Sequence, residues 1–114
     1  AWTGTAPLAL PDGDTLRLDG PPADARPWRV RARRGGERIA LPGRTHSHAL
    51  RHVLQALGVP PWVRARLPLL CDGAGRVLAV GDLAFDRDFD TWLRDGGRRL
   101  VWHTAARTGP GPIA

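Results

Sequence analysis

Residues 35–70 read GGERIALPGRTHSHALRHVLQALGVPPWVRARLPLL, and the fold is decided by how this stretch is read. Leu50, Val53, Leu54 and Leu57 recur at i, i+3, i+4 and i+7, which places four aliphatic side chains on one face of a helix. His48, Arg51, His52 and Gln55 repeat that spacing on the opposite, polar face. Thr45 or Ser47 carries the hydroxyl that would cap the first free N–H groups, and Gly58 is placed to end the helix in the left-handed region. Pro60 and Pro61 force a turn and suit the first position of a second helix, predicted over 62–67 because Pro68 biases Leu67 away from helical angles. Trp62, at the proline corner, is expected as a core anchor packed on Leu50, Leu54 and Leu57, with a base-stacking platform as the other reading.

The segments around this helical pair read as short strands. Trp28, Val30 and Ala32 alternate with Arg29, Arg31 and Arg33, giving a strand over 28–34 with an apolar face and an arginine face. Polar-out alternation is the norm for antiparallel sheets. Three like charges on one face nevertheless repel unless acids or phosphates lie opposite, which favours a basic ladder against a nucleic-acid backbone. Gly35-Gly36 reads as a plain turn or as a weak anion nest, with Glu37 paired to Arg34 or Arg38. Upstream, Pro11-Asp12-Gly13-Asp14 separates strand-like runs over 8–10 and 15–18. A proline-rich loop covers 20–27. Downstream, Asp72-Gly73-Ala74-Gly75 separates runs over 69–71 and 76–80 in a hairpin pattern. Phe89, Trp92 and Leu93 share one face of a short acidic helix over 86–95, Gly96-Gly97 ends it, and 98–103 reads as a last strand. Pattern alone thus gives about five to seven strands.

The composition is that of an ordinary globular domain, with 114 residues, 42% of them hydrophobic and 25% charged. All 17 basic residues are arginine, and the net charge is +6. Arginine alone is what a GC-rich genome produces, yet an excess of planar guanidinium forks also suits phosphate. Cys71 is the single cysteine, so no internal disulfide forms and a reducing cytoplasm is the expected compartment. No apolar run approaches the ~18 residues that span a bilayer. The chain opens without methionine on what reads as mid-protein sequence, as expected of a piece of a longer protein.

Catalytic constellations are sparse. His46, His48 and His52 have the flavour of metal ligands, but no cysteine pair and no His-Glu-x-x-His accompanies them. Asp82, Asp86, Asp88 and Asp90 lack the glycine and terminal glutamate of a calcium loop and read as a solvated acidic face. Ser47, the lone serine, sits in no nucleophile elbow, and Cys71 reads as a small core residue. Neither a phosphate-binding P-loop nor a dinucleotide fingerprint occurs.

The series Gly35-Gly36-Glu37-Arg38, Gly43-Arg44, Leu50-Arg51, Gln55, Val59-Pro60-Pro61-Trp62, Arg64 and Pro68-Leu69-Leu70 resembles the C-terminal domain of bacterial tRNA(Ile)-lysidine synthetase. The similarity is dense over 35–81. It is looser in the Trp2-x-Gly4 opening, the Leu10-Pro11-Asp12-Gly13 turn and the closing Leu100-x-Trp102. Where the family carries two adjacent basic residues, this chain has Arg51-His52.

The resemblance implies an α+β fold: a mostly antiparallel sandwich or barrel-like β core with an inserted two-helix segment. It implies one tRNA-binding domain over 1–107 and a flexible tail over 108–114. In that family the full enzyme uses ATP to adenylate the C2 carbonyl of a wobble cytidine in isoleucine tRNA, and lysine displaces AMP. The N-terminal domain does this chemistry while the C-terminal domain holds the tRNA body. The Ser-Gly-Gly-x-Asp-Ser loop that binds ATP is absent here, so a non-catalytic, cofactor-free chain is expected. ATP and lysine belong to the longer enzyme, and tRNA and the N-terminal catalytic domain are the implied partners. Arg31, Arg33, Arg38, Arg44, His48, Arg51, His52 and Arg64 are the residues expected to face RNA on one continuous basic surface. Two other classes fit the residues: a protein-interaction module whose arginines face acidic partners, and a small metal-dependent hydrolase built on His46, His48 and His52.

Overall fold

The structure is a computed structural model and describes residues 2–21 and 27–104. In chain order the elements are β1 (Leu8–Ala9), β2 (Thr15–Asp19), β3 (Arg29–Ala32), β4 (Arg38–Ile39), β5 (His48–Ala49), α1 (Leu50–Ala56), α2 (Pro61–Arg64), β6 (Pro68–Cys71), β7 (Val77–Val80), β8 (Ala84–Phe85), α3 (Arg87–Asp95) and β9 (Arg99–His103). The strands form sheets in the orders β1-β2-β9, β3-β6-β7-β8 and β4-β5, and every pairing is antiparallel. The α+β class read from the sequence is therefore the one adopted, with two consecutive short helices between β5 and β6. The strands that pattern does not reveal are β4, β5 and β8, each two residues long and too short to show alternation. The tail expected over 108–114 and most of the loop over 20–27 lie outside the described residues.

The first helix departs from expectation at its start, while its end is the one expected at Gly58. Helix α1 begins only at Leu50, its N-cap is Ala49, and no side chain caps it. His48 is on strand β5, paired with Ile39, and not on the helix. Ser47 instead accepts a hydrogen bond from Arg38. The C-terminal end follows a Schellman pattern: Gly58 at φ 70° donates to the Gln55 carbonyl, and Val59 donates to that of Leu54. Leu57, at the C-cap, is left off the apolar face on which Leu50, Val53 and Leu54 are buried, and Val59, just beyond the Gly58 turn, is buried instead.

Trp62 is also misassigned by the pattern. Helix α2 is a single turn with Pro61 at its first position, and it ends at Arg64, short of the predicted 67. With one turn only one side can point inward, and Val63 takes it, packing against the core. Trp62 faces out, 72% exposed.

Buried residues from Trp2 to Trp102 make one hydrophobic cluster. Leu16, Leu100 and Trp102 contribute from β2 and β9, and Leu69, Leu70, Ala79 and Val80 from β6 and β7. Trp102 packs so closely on Gly81 that an added Cβ there would lie 2.9 Å from its ring. Helix α3 buries Phe89 and Leu93 and sets Trp92 edge-on against Trp28 at 5.6 Å.

Two fully buried aspartates hold the periphery. Asp86 caps α3 by accepting from the N–H groups of Asp88 and Phe89, and it also accepts from Arg76 on the β6–β7 hairpin. Asp14 takes Arg66, tying the β1–β2 turn to the segment after α2. Asp82 accepts from the Trp102 N–H, and Asp90 pairs with Arg94, so the acidic run serves the fold.

Trp102→Ala should lower stability by about 3–5 kcal/mol, the range for truncating a core aromatic. Trp62→Ala should stay within about 0.5 kcal/mol of the parent chain, as exposed changes usually do. Urea denaturation of the two variants side by side checks this. Asp86→Ala, which removes a cap (~1 kcal/mol) and charged hydrogen bonds (~1.5–3 kcal/mol), should also shift the midpoint strongly, whereas Asp86→Asn, which can still cap, should shift it less.

Candidate nucleic-acid interface

Strand β3 leads through residues 33–37 into β4, and Glu37 shapes that loop. Its carboxylate accepts from the backbone N–H groups of Arg34 (2.7 Å) and Gly35 (3.0 Å) and from the Arg31 guanidinium (2.9 Å). Gly35 and Gly36 have φ of 99° and 80°, the left-handed region in which a side chain is strained. The nest made by this loop is therefore filled by the protein's own anion. Glu37 pairs with the Arg31 side chain and the Arg34 backbone, not with the side chains of Arg34 or Arg38 that the sequence suggested. Burial alone would raise the Glu37 pKa, but the Arg31 guanidinium and the two backbone donors outweigh it and hold it at about 2. The same bond to Glu37 raises the pKa of Arg31.

Charge is partitioned around this clamp. Arg17, Arg31, Arg66, Arg76, Arg87 and Arg94 each have a carboxylate partner. Among the described residues Arg33, Arg34, Arg38, Arg44, Arg51 and Arg64 have none within 4.0 Å. Arg33, Arg38 and Arg51 line a cleft of ≈ 330 Å³ with Gly35, Gly36 and Glu37. The Nε of Arg33 is buried there without a hydrogen-bond partner among the described residues. Arg38 is held by neutral acceptors only, the Ser47 hydroxyl at 2.9 Å and carbonyl at 2.8 Å, so its charge stays uncompensated. On the other side of the loop, Arg34 joins Arg31, Arg38 and Arg76 around a second opening of ≈ 320 Å³.

The remaining sequence-predicted residues lie apart from these clefts. Arg44, His48 and His52 line a shallow apolar cleft with Leu41, Val53, Ala56 and Leu57. Arg64 bends back to donate to the Val59 carbonyl at 2.7 Å. Arg31, Arg33, Arg38 and Arg51 are thus gathered around the Glu37 loop, while Arg44, His48 and His52 form a separate group and Arg64 lines neither cleft. Among the described residues no three His, Cys, Asp or Glu side chains are grouped to hold a metal.

Comparison with known proteins places the chain in a family by sequence and by fold. The family described as TilS substrate C-terminal domain matches residues 28–102. The chain belongs to that family. It is 55% identical over 106 residues to the tRNA(Ile)-lysidine synthase of Xylella fastidiosa (strain Temecula1), covering 89% of this chain and 24% of that protein. It is 56% identical over 107 residues to the tRNA(Ile)-lysidine synthase of Xanthomonas axonopodis pv. citri, covering 92% of this chain and 24% of that protein. The chain therefore spans about a quarter of the length of these relatives. A solved structure titled as that of a TILS C-terminal domain superposes with a TM-score of 0.64 at 26% identity, over 88% of this chain and 91% of that one.

Within this TilS C-terminal domain, Glu37 is the residue whose part in shaping the loop the sequence reading undervalued. The signal was present: it is the chain's only glutamate and directly follows Gly35-Gly36. Cys71, buried on β6 beside Arg31, is a core thiol whose pKa burial pushes up.

The depressed Glu37 pKa fixes the sign of a pH effect. The unfolded chain takes up this proton near the ordinary value of 4.5 and the folded chain only near 2, so the stability Glu37 contributes is complete above about pH 4.5 and is lost as pH falls toward 2. Urea midpoints measured from pH 6 to 2 should converge for the parent chain and Glu37→Gln at the acid end, and should differ most above about pH 5.

Proposed function

We propose that this chain is the tRNA-holding, non-catalytic part of a longer tRNA(Ile)-lysidine synthase. The activity of such an enzyme, with ATP and lysine as substrates and isoleucine tRNA as acceptor, belongs to the protein outside this chain, in the cytoplasm where tRNA resides. Its relatives carry that name, and the chain's own sequence has no ATP-binding loop. The observation that carries the RNA reading is the gathering of Arg33, Arg38 and Arg51, all without carboxylate partners among the described residues, around one cleft.

Fixed guanidinium groups with unanswered charge attract a polyanion and release its counterions on contact. Duplex RNA is gripped mainly through phosphates and 2′-hydroxyls, which suits arginines spread over a loop, a strand end and a helix start. Glu37 acts here as a positioning residue. It removes Arg31 from the free set and fixes the loop that presents Arg33 and Arg34. Arg44, His48 and His52, which line a separate cleft, offer a second contact area for the same RNA body.

Arg38→Glu combined with Arg51→Glu should weaken binding to all structured RNAs alike, since phosphate contacts position without specifying sequence. From a starting affinity in the ~10⁻⁴–10⁻⁶ M range, the double variant should also show a shallower dependence of affinity on salt. Arg17→Glu, which removes an arginine already paired with Asp19, should change affinity far less. A salt titration by fluorescence anisotropy, with circular dichroism confirming the fold, makes the comparison. Equal affinity for the parent chain and the folded double variant would remove this cleft from the interface.

A further inference from the structure

Among the described residues, Trp62 and Leu57 are the large hydrophobic side chains that stand exposed, at 72% and 54%. For Trp62 the exposure is enforced by its surroundings. Pro60 and Pro61 fix the backbone entering α2. The N–H groups of Val63 and Arg64 both bond the Pro60 carbonyl, and that of Ala65 bonds Pro61. Arg64 then closes the corner from its side chain onto Val59. Val63 anchors the turn in the core. The indole is carried on a rigid support and has two side-chain torsions to settle, so little conformational freedom is lost when it is covered.

Two further facts indicate what covers it. The sequence from 38 to 71 contains no aspartate or glutamate, while it holds Arg38, Arg44, Arg51, Arg64 and Arg66 and three histidines. Arg66 is answered by Asp14, but Arg38, Arg44, Arg51 and Arg64 have no carboxylate partner among the described residues, so Trp62 projects from a segment whose charge complements an anionic partner. The apolar area is also small. An aromatic side chain buries at most ~250 Å², whereas a stable protein interface needs on the order of 1,000 Å² or more. One flat aromatic face on an acid-free, arginine-bearing segment matches one base of a nucleic acid better than it matches the core of a protein interface.

We propose that Trp62 is a stacking platform for an unpaired nucleobase of the bound RNA. This deepens the RNA-holding role given above and rests on it. The arginines hold the backbone without reading it, and the indole adds a contact that requires a base free of a paired stack. A duplex with no free base offers it nothing. The platform thus biases the domain toward the part of a folded RNA where a paired stem meets single-stranded nucleotides.

The test uses an RNA hairpin with a short 3′ overhang and the same hairpin whose overhang nucleotides are abasic, so that phosphate number is equal. The parent chain should bind the base-bearing overhang about 5- to 150-fold more tightly, the ratio equivalent to one stacked base. Trp62→Leu should abolish that preference while leaving affinity for the abasic RNA unchanged, and Trp62→Phe should restore part of it. Trp62→Leu with an undiminished preference would overturn the proposal, as would an equal loss on both RNAs. Self-association of the parent chain that Trp62→Leu abolishes, with no effect on RNA, would assign the indole to a second copy of the chain instead. If the parent chain binds neither RNA at low salt, the RNA-holding role itself fails, a result distinct from binding both equally.

Discussion

The carboxylate of Glu37 accepts two backbone N–H groups and one guanidinium N–H, and the basic face of the domain is built around that arrangement. An arginine-rich turn with two left-handed glycines has few contacts of its own to define it. An internal anion supplies the definition: it satisfies the loop's backbone donors, neutralises Arg31 at the edge of the β3–β6 pair, and leaves Arg33, Arg38 and Arg51 lining one opening. On β3, Glu37 answers the charge of Arg31, while Arg29 and Arg33 have no carboxylate within 4.0 Å among the described residues.

The same separation runs through the molecule. Buried Asp14 and Asp86 each take one arginine and connect distant parts of the chain, so those arginines serve folding. Arg38, Arg44, Arg51 and Arg64, which have no carboxylate partner among the described residues, all lie in the acid-free region that begins after Glu37. Net charge alone suggests an anionic partner, but it does not distinguish these two populations. Their ion-pair partners do.

Strong local signals were legible. The Asp72–Gly75 turn, the amphipathic α3 with its glycine stop, and the Gly58 helix end all appear as their residues dictate, because each depends on a local backbone preference. Failures occurred where a few residues decided between alternatives through tertiary packing. Periodicity placed Leu57 on the buried face of α1, yet the left-handed Gly58 turned the chain so that Val59 was buried instead. A tryptophan at a proline corner reads as a core anchor, but a one-turn helix has a single inward position, and Val63 occupies it. The histidine series was read as helical because two-residue strands such as β5 leave no periodic trace. Of the candidate interface, the arginines themselves were legible. Their division into two groups was not, since it depends on Glu37 and on which side of α1 each residue emerges.

The central claim is that the unpaired arginines at the Glu37 loop meet RNA phosphates while the acid-paired arginines do not. Arginine Nε–H resonances report this directly, one side chain at a time, as tRNA is added at low salt. The account predicts progressive shifts for Arg33, Arg38 and Arg51, reversed by added salt, with Arg17 and Arg94 unmoved in their pairs with Asp19 and Asp90. Shifts confined to Arg17 and Arg94, with Arg33, Arg38 and Arg51 unchanged at saturating tRNA, would contradict it.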